Sequence, residues 1–141
     1  MYTDGELIEI AKKSMERAYA PYSHYQVGAA LLCRDGTVYT GCNIENSSYT
    51  PTVCAERTAI FKAVSEGQRD FSAIAVVGGE NGIINGYSAP CGVCRQVMME
   101  FCDPDTFRIL LWKPGETSCY TLRELLPLGF RLADAYEGKT V

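Results

Sequence analysis

The chain reads as an α/β domain in which helices cover a mixed five-stranded sheet. Three observations predict this. A helix with one apolar face opens the chain, and two strands joined by Asp35-Gly36 follow it. The remaining strands then alternate with helical segments, the order that builds sheets covered by helices.

Thr3 or Asp4 can cap a first helix running to about Ala18, with Leu7, Ile8, Ala11, Met15 and Ala18 at helical spacing. Pro21-Tyr22-Ser23 breaks it. The continuous apolar run from Gln26 to Cys33 predicts a buried strand. At Asp35-Gly36 the glycine supplies the positive φ of a hairpin turn, and Thr37 to Cys42 returns as the second strand. Asn43 to Thr52 is a polar loop. A helix from near Val53 to Glu66 is closed by Gly67, and Phe71 to Val77 is a third strand.

Gly78 to Ala89 is expected as a long Gly/Asn loop of the kind that often carries function. Pro90 precedes a helix from Cys91 to about Cys102. Arg108 to Trp112 is a strand, Pro114-Gly115 a turn, and Glu116 to Tyr120 a short edge strand. Thr121-Leu122-Arg123-Glu124 is a capping box that opens a short helix, stopped by Pro127. No repeat or linker interrupts this order, so residues 1–141 are expected to form one domain.

Composition narrows the function. A hydrophobic content of 47% supports a core without disulfide staples. The formal net charge is −4 and no run of Lys or Arg reaches three, which argues against a nucleic-acid partner and for a small substrate. No apolar stretch is long enough for a membrane span, and the N-terminus lacks the pattern of a signal peptide. A cytoplasmic location is expected. Seven unevenly clustered cysteines then suggest a metal or catalysis more than disulfides. Cys33, Cys42, Cys102 and Cys119 read as ordinary thiols.

Cys54-Ala55-Glu56 and Pro90-Cys91-Gly92-Val93-Cys94 carry the chemistry. Cys91 and Cys94 stand three apart, on one helical face, so both sulfurs can reach one ion. Cys54 heads another helix, where the partial positive charge favours thiolate. Three protein ligands on zinc leave a position open for water, the mark of a catalytic centre. Glu56, not itself a ligand, could take a proton from that water and return it. Three thiolates leave zinc with a net negative charge. Arg57 and Arg95, directly after the motif residues, are expected to donate to the sulfurs and withdraw part of it.

Other readings of these thiols remain open. Pro-Cys-Gly-Val-Cys alone suits a redox pair or half of a zinc ribbon. A ribbon needs a second Cys-x-x-Cys, and none is present; a redox pair leaves Cys54 and Glu56 unexplained. A closed structural site would need a fourth ligand, such as Cys42. His24, the only histidine, is expected to be neither ligand nor base.

A ligating residue, then x-Glu, then Pro-Cys-x-x-Cys is the pattern of zinc nucleobase deaminases. Within that superfamily the chain resembles the cytidine deaminases over nearly its whole length. The likeness runs through Ala20-Pro21-Tyr22-Ser23, Gln26 to Ala30, Gly41-Cys42-Asn43-Ile44-Glu45-Asn46, Cys54 to Ala59, Pro90 to Gln96, and Glu124-Leu125-Leu126-Pro127. The resemblance implies a three-layer α/β/α sandwich and one zinc per subunit. Cysteine at position 54, in place of histidine, resembles the small homotetrameric branch.

The resemblance also implies site roles. Asn43 and Glu45 would hold ribose hydroxyls, Ala55 would bond the base through its backbone, and the aromatic at Tyr25 would stack on the pyrimidine. Tyr49 and Phe130 would complete the sites of neighbouring subunits. Gln96, with Arg57 and Arg95, would support the metal centre from behind. The chain departs from the family pattern at Tyr25, where phenylalanine is usual, at Ala89, where serine is expected, and at Val93, where alanine is common.

The expected reaction is hydrolytic deamination of cytidine and deoxycytidine to uridine and deoxyuridine, with release of ammonia, as in pyrimidine salvage. Hydroxide generated at the zinc would attack C4 while Glu56 carries the proton. The alternatives are a deaminase of a related amino-heterocycle such as blasticidin S, and a non-enzymatic zinc or redox module. The Asn43-Ile44-Glu45-Asn46 loop favours an ordinary ribonucleoside.

Overall fold

The computed structural model describes residues 1–135; the domain expected over 1–141 extends beyond them at its C-terminal end. Its elements are α1 (Asp4–Ser14), β1 (Tyr25–Cys33), β2 (Val38–Cys42), α2 (Ala55–Ser65), β3 (Phe71–Glu80), α3 (Gly92–Phe101), β4 (Arg108–Lys113), β5 (Glu116–Thr121), α4 (Leu122–Leu125) and α5 (Leu132–Ala135). The five strands form one mixed sheet in the order β2-β1-β3-β4-β5. Only β3 and β4 run parallel, with α3 as the crossover; the other neighbours are antiparallel.

Strand alternation makes two cores. On one face Ala30, Leu32, Ala73, Ala75, Val77 and Leu110 pack under Leu7, Ile8, Ala11 and Met15 of the N-terminal helix. On the other, Ala29, Leu31, Ile74, Val76, Ile109 and Leu111 meet Ala55, Ala59, Ile60 and Ala63 of α2 and Cys94, Met98 and Met99 of α3. Successive strand residues point to opposite faces, so a central strand feeds both layers. The result is the three-layer α/β/α sandwich. β1 and β3 read as unbroken apolar runs for that reason.

Two glycines let the helices lie close to the sheet. A Cβ on Gly28 would stand 2.0 Å from the Ala11 carbonyl oxygen, against α1. One on Gly41 would stand 2.3 Å from the Ala55 carbonyl oxygen and 2.6 Å from the Ala59 nitrogen. The first turn of α2 therefore rests directly on β2, which sets its height above the sheet.

Several boundaries differ from expectation. The first α-helix stops at Ser14 and tightens into a 3-10 turn, Met15–Arg17, instead of continuing to Ala18. The third strand runs on to Glu80, because Gly78, Gly79 and Glu80 pair with Val27, Gln26 and Tyr25. The expected Gly78–Ala89 loop is thus shorter and begins at Asn81, whose φ is 55°. Cys54 and Cys91 are N-caps, with the helices starting one residue later. The short α5 was not expected.

Candidate metal centre and cleft

The Cys54 cap has φ −77° and ψ 158°, the Cys91 cap φ −68° and ψ 169°, and neither side chain caps its own helix. Their sulfurs remain free to turn towards each other. Cys94 lies in the first turn of α3 and is fully buried. The Sγ atoms of Cys54 and Cys91 are 3.8 Å apart, those of Cys91 and Cys94 3.5 Å, and all three lie within 4.8 Å of one another.

These separations suit one ion. Zn–S bonds of about 2.3 Å at the tetrahedral angle put sulfurs about 3.8 Å apart. Cys42 is not part of the cluster, and all seven cysteines are free thiols. The donor set therefore fits a three-sulfur zinc centre better than a four-ligand cage or a disulfide.

Arg57, three residues after Cys54 and on the same helical face, donates from Nη2 to Cys54 Sγ at 3.3 Å. A hydrogen bond from Cys94, joined by those from Arg57 and Cys91, pulls the Cys54 thiol down to about 5 against the cost of its burial. Arg57 Nε is buried without an acceptor. Glu56 is 3% exposed, and burial pushes its carboxyl up to about 7, with the neighbouring Cys54 charge adding to the effect. Cys33 behaves as a core thiol: burial, with Asp35 and Asp70 nearby, raises it to about 11. Burial also raises Cys102, and Cys119 is exposed.

Beside the sulfurs lies a cleft of about 440 Å³ whose lining includes Ser23, Tyr25, Asn43, Glu45, Glu56 and Cys91. Two backbone bridges bring the Asn43–Glu45 segment here. Ile44 exchanges hydrogen bonds with Val53, one residue before Cys54, and the Asn43 carbonyl accepts from Tyr19 N. Asn43 is almost fully buried; its Oδ1 accepts from Val27 N at 2.9 Å and its Nδ2 donates to the Tyr25 carbonyl at 2.7 Å. Glu45 Oε1 accepts from Tyr22 N and Ser23 N, and Oε2 from Ser23 Oγ at 2.5 Å. These bonds, that of Ser23 foremost, hold the Glu45 carboxyl below its ordinary range. Ala55 is wholly buried behind Cys54 and is not among the residues lining the cleft; its N–H lies in the first turn of α2, where no intrahelical acceptor exists.

Several expected site residues lie elsewhere. Arg95 does not meet the sulfurs. Its guanidinium donates to the Pro90 carbonyl at 2.7 Å and the Leu125 carbonyl at 2.6 Å, two backbone acceptors left free by chain turns. Gln96 likewise faces away, donating to the Phe130 carbonyl at 2.8 Å. Phe130 is 62% exposed and stands outside this cleft, while Tyr49, with φ 61° and 70% exposed, lines an adjoining cavity of about 420 Å³ that shares Ser23, Glu45 and Thr52 with it. His24, with φ 58°, is not among the clustered ligands. Ser23, Thr52, Tyr87 and Ser88 line the cleft without having been singled out. The Tyr22-Ser23 resemblance pointed to Ser23, and the Gly78–Ala89 loop expected to carry function contains Tyr87 and Ser88.

A sheet that delivers two helix starts to one point, with a buried acid beside three sulfurs, defines the class of zinc-dependent deaminases. Residues 1–109 match the family described as the cytidine and deoxycytidylate deaminase zinc-binding region. A cytidine deaminase from Sporosarcina psychrophila is 51% identical over 92% of this chain and 92% of its own. One from Halalkalibacterium halodurans is 52% identical over 91% of this chain and 94% of its own. The crystal structure of cytidine deaminase from Burkholderia pseudomallei superposes with a TM-score of 0.84 at 48% identity, covering 92% of this chain and 100% of that one. A Bacillus cereus blasticidin-S deaminase is more distant, at 35% identity over 90% of this chain and 91% of its own.

The chain belongs to the cytidine deaminase family. Zinc is the metal of the family's binding region, and Cys54, Cys91 and Cys94 form the cluster that can hold it. No helix among the described residues is long and apolar enough to cross a membrane.

Proposed function

We propose that the chain is a zinc-dependent hydrolase that converts cytidine and deoxycytidine, with one water, to uridine and deoxyuridine plus ammonia. One observation carries this reading: a buried carboxyl, Glu56, lies beside three clustered sulfurs in the same cleft as Asn43 and Glu45.

Zinc, when bound, supplies a Lewis acid and lowers the pKa of a water. Glu56 takes one proton of the attacking water and passes it to N3 of the pyrimidine, then takes the second from the resulting C4 hydroxyl, as the C4 carbonyl forms, and delivers it to the departing amine. A poorly solvated carboxyl accepts and returns protons readily, which suits it to both transfers. Arg57 withdraws charge from Cys54 Sγ. Asn43 and Glu45 are held by backbone and Ser23 contacts before substrate arrives, with lone pairs and N–H groups left for ribose hydroxyls. The Ala55 N–H meets the base, and the Tyr25 ring stacks against it.

Tyr49 and Phe130 act in the sites of neighbouring copies within a homotetramer. Their exposure outside this cleft supports that role, as do exposed Phe61, Val93 and Leu128. Residues 1–141 act as one deaminase domain. Seven free thiols fit a reducing, cytoplasmic setting.

Steady-state rates on cytidine, deoxycytidine and blasticidin S test the assignment. Turnover of the two nucleosides, with ammonia and uracil nucleoside formed one for one, is expected. Turnover of blasticidin S without cytidine would replace this reading with the amino-heterocycle alternative.

A further inference from the structure

Resting on the nucleoside deaminase reading, we propose that Ser88 is a positioning residue of the cleft. Its hydroxyl holds the Tyr25 ring in place and ties the wall that leads into Cys91 to the wall that carries Glu45.

The Tyr25 hydroxyl and Ser88 Oγ are 2.5 Å apart. The same tyrosine is fixed at its backbone, where Tyr25 N donates to Ser23 Oγ at 3.0 Å. Ser23 Oγ in turn donates to Glu45 Oε2. One line of hydrogen bonds therefore runs from Glu45 through Ser23 and Tyr25 to Ser88. All four residues line the same cleft, as does Cys91.

Ser88 is well placed to anchor this line. Its Oγ would stand 2.7 Å from a Cβ built on Gly78, so the bare backbone of β3 makes room for it. The preceding residue is held from the other side, because Ser118 Oγ of β5 donates to the Tyr87 hydroxyl at 2.9 Å. The segment that leads into Ala89-Pro90-Cys91 is thus fastened to β1 and β5 at consecutive positions. A phenylalanine at position 25 could not make the bond to Ser88. The tyrosine hydroxyl is what allows this serine to fix the ring.

Tyr25 is 39% exposed, so its ring is not confined by packing alone. Ordering it in advance removes an entropic cost that binding would otherwise bear. The proposed proton transfers use neither hydroxyl, so loss of the bond is expected to weaken ground state and transition state together. That signature is a raised KM with kcat preserved.

The test is a double-mutant cycle of Tyr25→Phe and Ser88→Ala, read as kcat and KM for cytidine, with zinc content and Tm. Each single variant should raise KM about three- to tenfold, the range of one neutral hydrogen bond, with kcat within about twofold. The double variant should be no worse than either single one, because both remove the same bond. Zinc content and Tm should stay at wild-type values. Unchanged KM in an active background, multiplicative effects, or a fall in kcat with Tm would each overturn the proposal. A wild-type chain inactive on cytidine would refute the deaminase reading instead.

Discussion

Arg57 reaches back three residues along its own helix to donate to Cys54 Sγ at 3.3 Å, while Arg95, next to Cys94, turns to the Pro90 and Leu125 carbonyls. One arginine therefore serves the sulfurs and the other braces the chain behind them. Arg57→Ala should lower kcat/KM or zinc affinity about 10- to 100-fold, the usual cost of losing a partner to a metal ligand. Arg57→Lys should fall between, since an ammonium keeps the charge without the planar fork. Steady-state kinetics with a zinc competition titration checks both. Arg95→Ala should mainly cost stability.

Stripping zinc with a chelator should abolish deamination and lower Tm, and added zinc should restore both. Cys91→Ala should carry little zinc and melt like the stripped wild type. Cys33→Ala, altered only in the core, should keep one zinc per chain. Metal analysis beside a thermal melt separates these cases.

Gly41 seats the first turn of α2 on β2. Gly41→Ala forces a methyl into backbone atoms of Ala55 and Ala59, so the helix that carries Cys54 and Glu56 must lift. A loss of about 2–3 kcal/mol is expected, at the upper end of overpacking costs, together with reduced turnover. Urea unfolding at constant m measures the first part.

Asn43 has a structural duty as well as its proposed ribose contact. Asn43→Ala leaves Val27 N–H and the Tyr25 carbonyl without their side-chain partners. A cost of about 1–3 kcal/mol follows from unpaired buried groups, together with a higher KM for cytidine. Glu45→Gln should raise KM with a smaller loss of stability. Comparing denaturation midpoints with KM values checks the difference.

Much of the fold was legible because its signals are local. Apolar runs marked β1 and β3, Asp35-Gly36 the hairpin, and Thr121-Leu122-Arg123-Glu124 the capping box seen at α4. The extension of β3 to Glu80 was hidden because Gly78 and Gly79 carry no strand signal; pairing with Val27 and Gln26 supplies it. At the site, the three sulfurs and Glu56 were legible through spacing at two helix starts. The direction of Arg95 was not, since it depends on the Leu125 carbonyl, which is distant in sequence. The bond of Ser88 was hidden for the same reason: its partner Tyr25 lies on β1, 63 residues away in sequence.

The most direct test of the central claim pairs ammonia release from cytidine with zinc analysis in Glu56→Gln. The variant should retain one zinc per chain and the wild-type fold, yet lose turnover by at least about a hundredfold, the lower bound for a positioned acid–base group. Near-wild-type ammonia release from the zinc-loaded variant would contradict the assignment of Glu56 as the proton carrier.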